Sequence, residues 1–198
     1  PNAYEEAWAI IDTDGTNTSG SPTVLNGSGS GNSMFIYASP SVGGATFKAA
    51  YRQSPAVASE SMTDFAVTIS PEAVDGLTLG AAISNNTIGT NIDSDENTMY
   101  AKYATGGFTF GVQASDLDHT TANSDQESIA YGVTYAVNDD FSIGYSYHEL
   151  DFESTSLLDQ ESTGISASYT MGGMTLAGAS NEVENMNGST TVANDVEG

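Results

Sequence analysis

"YATGGFTFGVQ", residues 103–113, alternates aromatic or apolar side chains with small polar ones on either side of a Thr-Gly-Gly turn. Tyr103 leads into the turn. Phe108, Phe110 and Val112 leave it at intervals of two, with Thr109, Gly111 and Gln113 between them. Successive side chains on a strand point to opposite faces, so the stretch reads as a hairpin with one aromatic face and one small polar face.

The same unit recurs from residue 34 onward. Strands rich in Tyr, Phe, Val, Ile and Thr are joined in turn by "SPSVGG" (39–44), "SPEAVDG" (70–76), "TGG" (105–107), "NDD" (138–140) and "MGG" (171–173). Between these hairpins run long polar links, 53–61, 84–97, 115–127 and 149–161, and a tail from Ser180. Five hairpins make ten strands over 34–180. Short and long connections alternate strictly, which in an up-and-down antiparallel sheet gathers all short turns at one end. Only Glu72, Asp75, Asp139 and Asp140 are acids of the short turns, and the links and tail hold most of the others. The two ends therefore meet different surroundings.

Composition narrows the function classes. Twenty-six acids stand against three bases in 198 residues, a formal charge of −23. Nucleic acid is excluded as a partner, because nothing could neutralise phosphates. Without cysteine there is neither a disulfide scaffold nor a thiolate metal site. No apolar run approaches the roughly 20 residues of a membrane helix. Pro1 is not a natural translation start, so a processed or truncated chain is expected.

Parity assigns one face to Phe47, Tyr51, Phe65, Leu79, Ile83, Met99, Tyr103, Phe110, Tyr131, Tyr145, Ile165 and Tyr169, and the other to Thr46, Asp64, Thr78, Thr109, Gln113, Ser142, His148 and Ser166. The first and last strands are ambiguous. A soluble sandwich would also alternate, but its water-facing side would carry charge. Here the polar face is small and nearly uncharged, and rings gather beside the short turns: Phe47, Tyr103, Phe108, Tyr135, Phe141 and Tyr169. Strands of about nine residues match a tilted crossing of hydrocarbon. The expectation is an all-β transmembrane up-and-down antiparallel barrel, aromatic face toward lipid and polar face toward water. Lys48, Arg52 and Lys102 all fall on the inward face, since lipid excludes charge.

The hairpins "NSMFIYASPSVGGATFKAAYRQ", "TMYAKYATGGFTFGVQASD", "IAYGVTYAVNDDFSIGYSYHE" and "GISASYTMGGMTLAGASNE" resemble those of Gram-negative general porins, closest to the alphaproteobacterial type. The resemblance is to a class of hairpins and covers nearly the whole chain. It implies a 16-stranded barrel of which this chain is an internal fragment. Residues 1–33, including the helix-prone "PNAYEEAWAIID", would be the inward-folded constriction loop; 34–180 would be ten barrel strands; 181–198 would begin the last outer loop. It further implies a passive diffusion channel for small hydrophilic solutes and ions in the bacterial outer membrane, contacts with lipid and lipopolysaccharide, and a homotrimer. In such porins acids on the loop face bases on the wall, which nominates Glu5, Glu6, Asp12 and Asp14 against Lys48, Arg52 and Lys102.

The acid excess predicts a weak cation preference. Asp93, Asp95 and Glu96, or Asp116 and Asp118, could hold Ca²⁺, although no EF-hand spacing is present; no other cofactor or metal is expected. An enzyme is not expected: His119 and His148 pair with no nucleophile, no G-x-S-x-G elbow occurs, and only Asp64 sits amid a strand. The rival reading is a soluble secreted β-rich surface or adhesin module from a saline habitat. A closed barrel serving as receptor or anchor is a third.

Overall fold

The computed structural model describes residues 34–53, 61–89, 92–189 and 196–197. The expected loop and helix at 1–33 lie outside these residues. The strands are β1 Met34–Ala38, β2 Ala45–Gln53, β3 Ser61–Ile69, β4 Leu77–Gly89, β5 Ile92–Thr105, β6 Phe108–His119, β7 Gln126–Ala136, β8 Phe141–Phe152, β9 Gln160–Met171, β10 Met174–Glu184 and β11 Val196–Glu197. They form one sheet in chain order, every neighbour antiparallel, with a short 3₁₀ turn at Met186–Gly188. The up-and-down all-β architecture is thus as the alternation predicted. Among the described residues the sheet is open, with β1 and β11 at its edges.

Three of the short turns are Gly-Gly pairs in which both glycines have positive φ: Gly43–Gly44, Gly106–Gly107 and Gly172–Gly173. Two successive left-handed residues give the turn whose twist matches that of the flanking strands. At 137–141 Asn138 does the equivalent work, its Oδ1 accepting from the backbone N–H of Asp140 and Phe141, each at 2.9 Å.

Burial agrees with the parity reading. Phe47, Phe65 and Ile165 are 55%, 51% and 60% exposed, whereas Tyr100, Gln113 and His148 on the opposite face are 5%, 3% and 1% exposed. Pairing also resolves the two ambiguous strands. Phe35 lies opposite Tyr51 and Leu176 opposite Tyr169, so both rows of rings extend to the edges. Among the described residues the substantial packing is between neighbouring strands and of the 3₁₀ turn on β9. Among the described residues no second sheet or helix layer covers the rings, which the soluble reading required.

The polar links are a correction. Residues 84–97, 115–127 and 149–161 were expected as loops. Instead β4 runs on to Gly89, β5 starts at Ile92, β6 reaches His119, β8 reaches Phe152 and β9 starts at Gln160. Strands that leave an apolar layer into water keep their backbone ladder whatever side chains they carry, so polarity alone does not end them. Asp64 is accordingly not the only strand acid: Asp95 pairs with Asp118, Glu127 with Asp151 and Glu149 with Glu161. At the far end β10 continues to Glu184, past the expected boundary at 180.

The outward apolar residues do not follow the paired rows. Phe47, at the turn-side edge of the apolar segment of β2, leads through Val67, Ala81, Met99, Ala114, Ile129 and Glu149 to Glu161 on β9. The corresponding turn-side ring on β9 is Tyr169, eight residues beyond Glu161 and seven strands from Phe47. Roughly 26 Å along a strand against roughly 34 Å across the sheet is a tilt of roughly 40°. A level apolar belt therefore needs the strand inclination typical of membrane barrels.

Candidate functional site

The inward wall carries the chain's three bases. Lys48 and Arg52 stand four residues apart on β2, about 13 Å by strand rise, and Lys102 stands on β5; all three are half-buried. They share a face but not a row. Lys48 lies in the row of Ala66, Ala82 and Thr98, Arg52 in that of Met62, Asn86 and Ser94, and Lys102 in that of Thr78 and Gly111. Arg52 Nε is buried and meets no acceptor.

Two acids belong to this wall: Asp64, which parity already placed there, and Glu96, which the sequence reading did not. Asp64 on β3 and Glu96 on β5 are both paired with Ser84 of β4, in the row between those of Lys48 and Arg52. Asp64 had been read on the polar face as the one strand acid, and Glu96 only as part of a loop cluster. Continuing the alternation through 84–97 would have found Glu96, but its polarity read as loop. The wall is thus a strip of mixed charge on β2–β5. Glu5, Glu6, Asp12 and Asp14 lie outside the described residues.

Beyond the charges the wall is small and hydroxylated. From Lys102 its row continues as Gly111, Gly132, Ser146 and Gly164, the positions with least side-chain bulk. Hydroxyls pair across strands: Thr98 Oγ1 with Ser115 Oγ at 2.6 Å and Ser142 Oγ with Ser168 Oγ at 2.8 Å. Gln113 Nε2 donates to Ser115 Oγ at 3.2 Å. Such a surface can be wetted and can exchange hydrogen bonds with a passing solute. No group of His, Asp and Glu among the described residues is arranged to hold a metal. The carboxylates offered for Ca²⁺ are divided by the pleat: Asp93, Asp95, Asp116 and Asp118 share the outward face, and Glu96 points inward.

The long-loop end is tied together by polar contacts. Thr120 accepts at Oγ1 from Asp93 N–H at 2.6 Å and donates to Asp93 O at 2.8 Å, and Asp125 Oδ1 accepts from His119 N–H at 2.8 Å. Loss of hydration, first, and then the carboxylates of Asp159, Glu149 and Glu127 push the Asp151 carboxyl above its usual range.

The family profile of Gram-negative porins matches residues 2–191. No curated protein sequence matches the chain. Among solved structures, in-vitro folded OmpT, an outer membrane protein of Vibrio cholerae, is similar in fold: 18% identity, TM-score 0.59, with 83% of this chain and 58% of that one covered. The outer-membrane expressed form of OmpT gives 16% identity and a TM-score of 0.58 over 76% and 54% of the two chains. Its loop L8 deletion mutant gives 16% and 0.57 over 76% and 56%. The chain spans a little over half the length of these structures.

Proposed function

The chain belongs to the Gram-negative porin family, and from that membership we propose that the whole protein is a passive channel for small hydrophilic solutes and ions. Its place is the bacterial outer membrane. The observation that carries the channel reading is the division between the two faces. Among the described residues the ring-bearing face lies bare along a belt that is level at a tilt of roughly 40°, while the opposite face carries hydroxyls, glycines, the three bases and the acids Asp64 and Glu96. Hydrocarbon suits the first and water the second. No covalent step is needed, and selectivity would come from the width and field of the narrowest point.

Within that reading, Glu5, Glu6, Asp12 and Asp14, which lie outside the described residues, would act at the constriction against Lys48, Arg52 and Lys102. Asp64 and Glu96 temper the field of the bases. The charge of −23 supports a weak preference for cations, and family membership supports a homotrimer and contact with lipopolysaccharide. The test is the full-length protein in a planar bilayer under a salt gradient. Stepwise conductance with a small reversal potential of cation-selective sign is expected; no conductance would refute the channel, and an anion-selective sign would refute the preference.

A further inference from the structure

The outward face of β4–β8 holds a groove of about 1090 Å³ at the long-loop edge of the apolar belt. Ile83, Met99 and Ile129 give it an apolar floor, and Asp116, Glu127 and Asp151 line it beside them, with Glu149 directly opposite Ile129. These acids stand in one paired row on β6, β7 and β8. Side chains directly opposed on neighbouring strands have Cβ atoms about 5 Å apart, and like charges so placed repel. Asn97 Nδ2 donates to Asp116 Oδ2 at 2.9 Å, which fixes one carboxylate but adds no positive charge.

Nothing on the same face can neutralise the row. The chain has three Lys and Arg residues, and Lys48, Arg52 and Lys102 all point inward. The compensating charge must come from outside the sheet. An inorganic cation would answer the carboxylates and leave the floor bare. A plain acyl chain would cover the floor and leave the carboxylates unpaired. We propose that this groove binds an amphiphile whose head group is a protonated amine, its ammonium against Asp116, Glu127 and Asp151 and its chain along Ile83, Met99 and Ile129. The inference rests on the ring-bearing face meeting lipid and goes beyond channel activity.

The test places the full-length protein in phosphatidylcholine vesicles. It measures the motionally restricted fraction of three spin-labelled lipids: a dialkylammonium lipid, phosphatidylcholine, and phosphatidylglycerol with and without Mg²⁺. Several-fold enrichment of the ammonium lipid over phosphatidylcholine is expected. The enrichment should vanish in Asp116→Asn/Glu127→Gln/Asp151→Asn, and also in Ile129→Trp, which keeps the acids and fills the floor. It should persist in Asp139→Asn/Asp140→Asn at the other end of the sheet. Equal association of the ammonium lipid and phosphatidylcholine in an inserted protein would overturn the proposal. So would enrichment that survives Ile129→Trp, or a Mg²⁺-dependent preference for phosphatidylglycerol in its place. A protein that fails to insert at all would sink the membrane reading together with this inference.

Discussion

The ring of Tyr100 lies over Gly80, its directly opposed partner on β4, so closely that a Cβ at position 80 would collide with the ring's edge. The ring is 5% exposed and packs against Ala82. A glycine within a strand often marks such a close approach, and here it lets an aromatic side chain lie along the inner wall instead of standing into the lumen.

Gly80→Val should therefore lift Tyr100 off the wall at a cost of about 1–3 kcal/mol, the usual range for overpacking. Tyr100→Ala in the same chain should recover most of it, a coupling of about 0.5–3 kcal/mol between touching residues. Urea unfolding of the four variants checks this; strictly additive losses would mean that the two side chains do not share the space.

Neighbours on one strand should respond oppositely to charge. Phe110 faces outward and Thr109 inward. Phe110→Arg should destabilise the folded protein in vesicles by about 2–4 kcal/mol, as lipid-facing Arg does near the midplane. Thr109→Arg should cost far less, because its head group reaches water. Equal losses would mean that the faces are wrongly assigned.

Removing wall bases should shift ion selectivity. Lys48→Glu and Lys102→Glu each exchange a positive for a negative charge on the inward face, and both should move the reversal potential toward cations. The Lys102 variant should keep its conductance better, since that row continues through Gly111, Gly132 and Gly164. Movement toward anions in either variant would contradict the assignment of these side chains to the pore wall.

Stability should rise on mild acidification. The Asp151 carboxyl is raised by lost hydration, first, and by Asp159, Glu149 and Glu127. A folded-state pKa above the unfolded one adds stability that is complete below the unfolded pKa and is lost as pH rises through the folded pKa. The melting temperature should thus climb as pH falls from neutrality toward the carboxylate range, and Asp151→Asn should weaken that climb. A melting temperature that drops over this interval would refute the repulsion inferred for the outer row.

The two glycines of the first turn should differ in tolerance. Gly43 has φ +59° and open space around its missing Cβ, whereas at Gly44, φ +80°, a Cβ would collide with the Ser70 carbonyl oxygen. Gly43→Ala should cost about 1–2 kcal/mol from left-handed strain alone, and Gly44→Ala clearly more. Chemical denaturation separates them.

The alternation at 103–113 by itself determined which side chains share a face. The pleat has a period of two, and no packing partner can change which way Phe108, Phe110 and Val112 point relative to Thr109 and Gly111. The Gly-Gly pairs likewise determined where the chain reverses, because only glycine takes two left-handed conformations in succession at little cost. Composition could not say how far a strand persists once its side chains turn polar, so residues 84–97, Glu96 among them, were read as loop although the ladder of β4 and β5 carries on into them. Nor could it say which residues stand level. The slide from Phe47 to Tyr169, the row of Asp116, Glu127 and Asp151, and the meeting of Tyr100 with Gly80 are all matters of register. Register is fixed by backbone pairing across strands distant in sequence, and only the assembled sheet decides it.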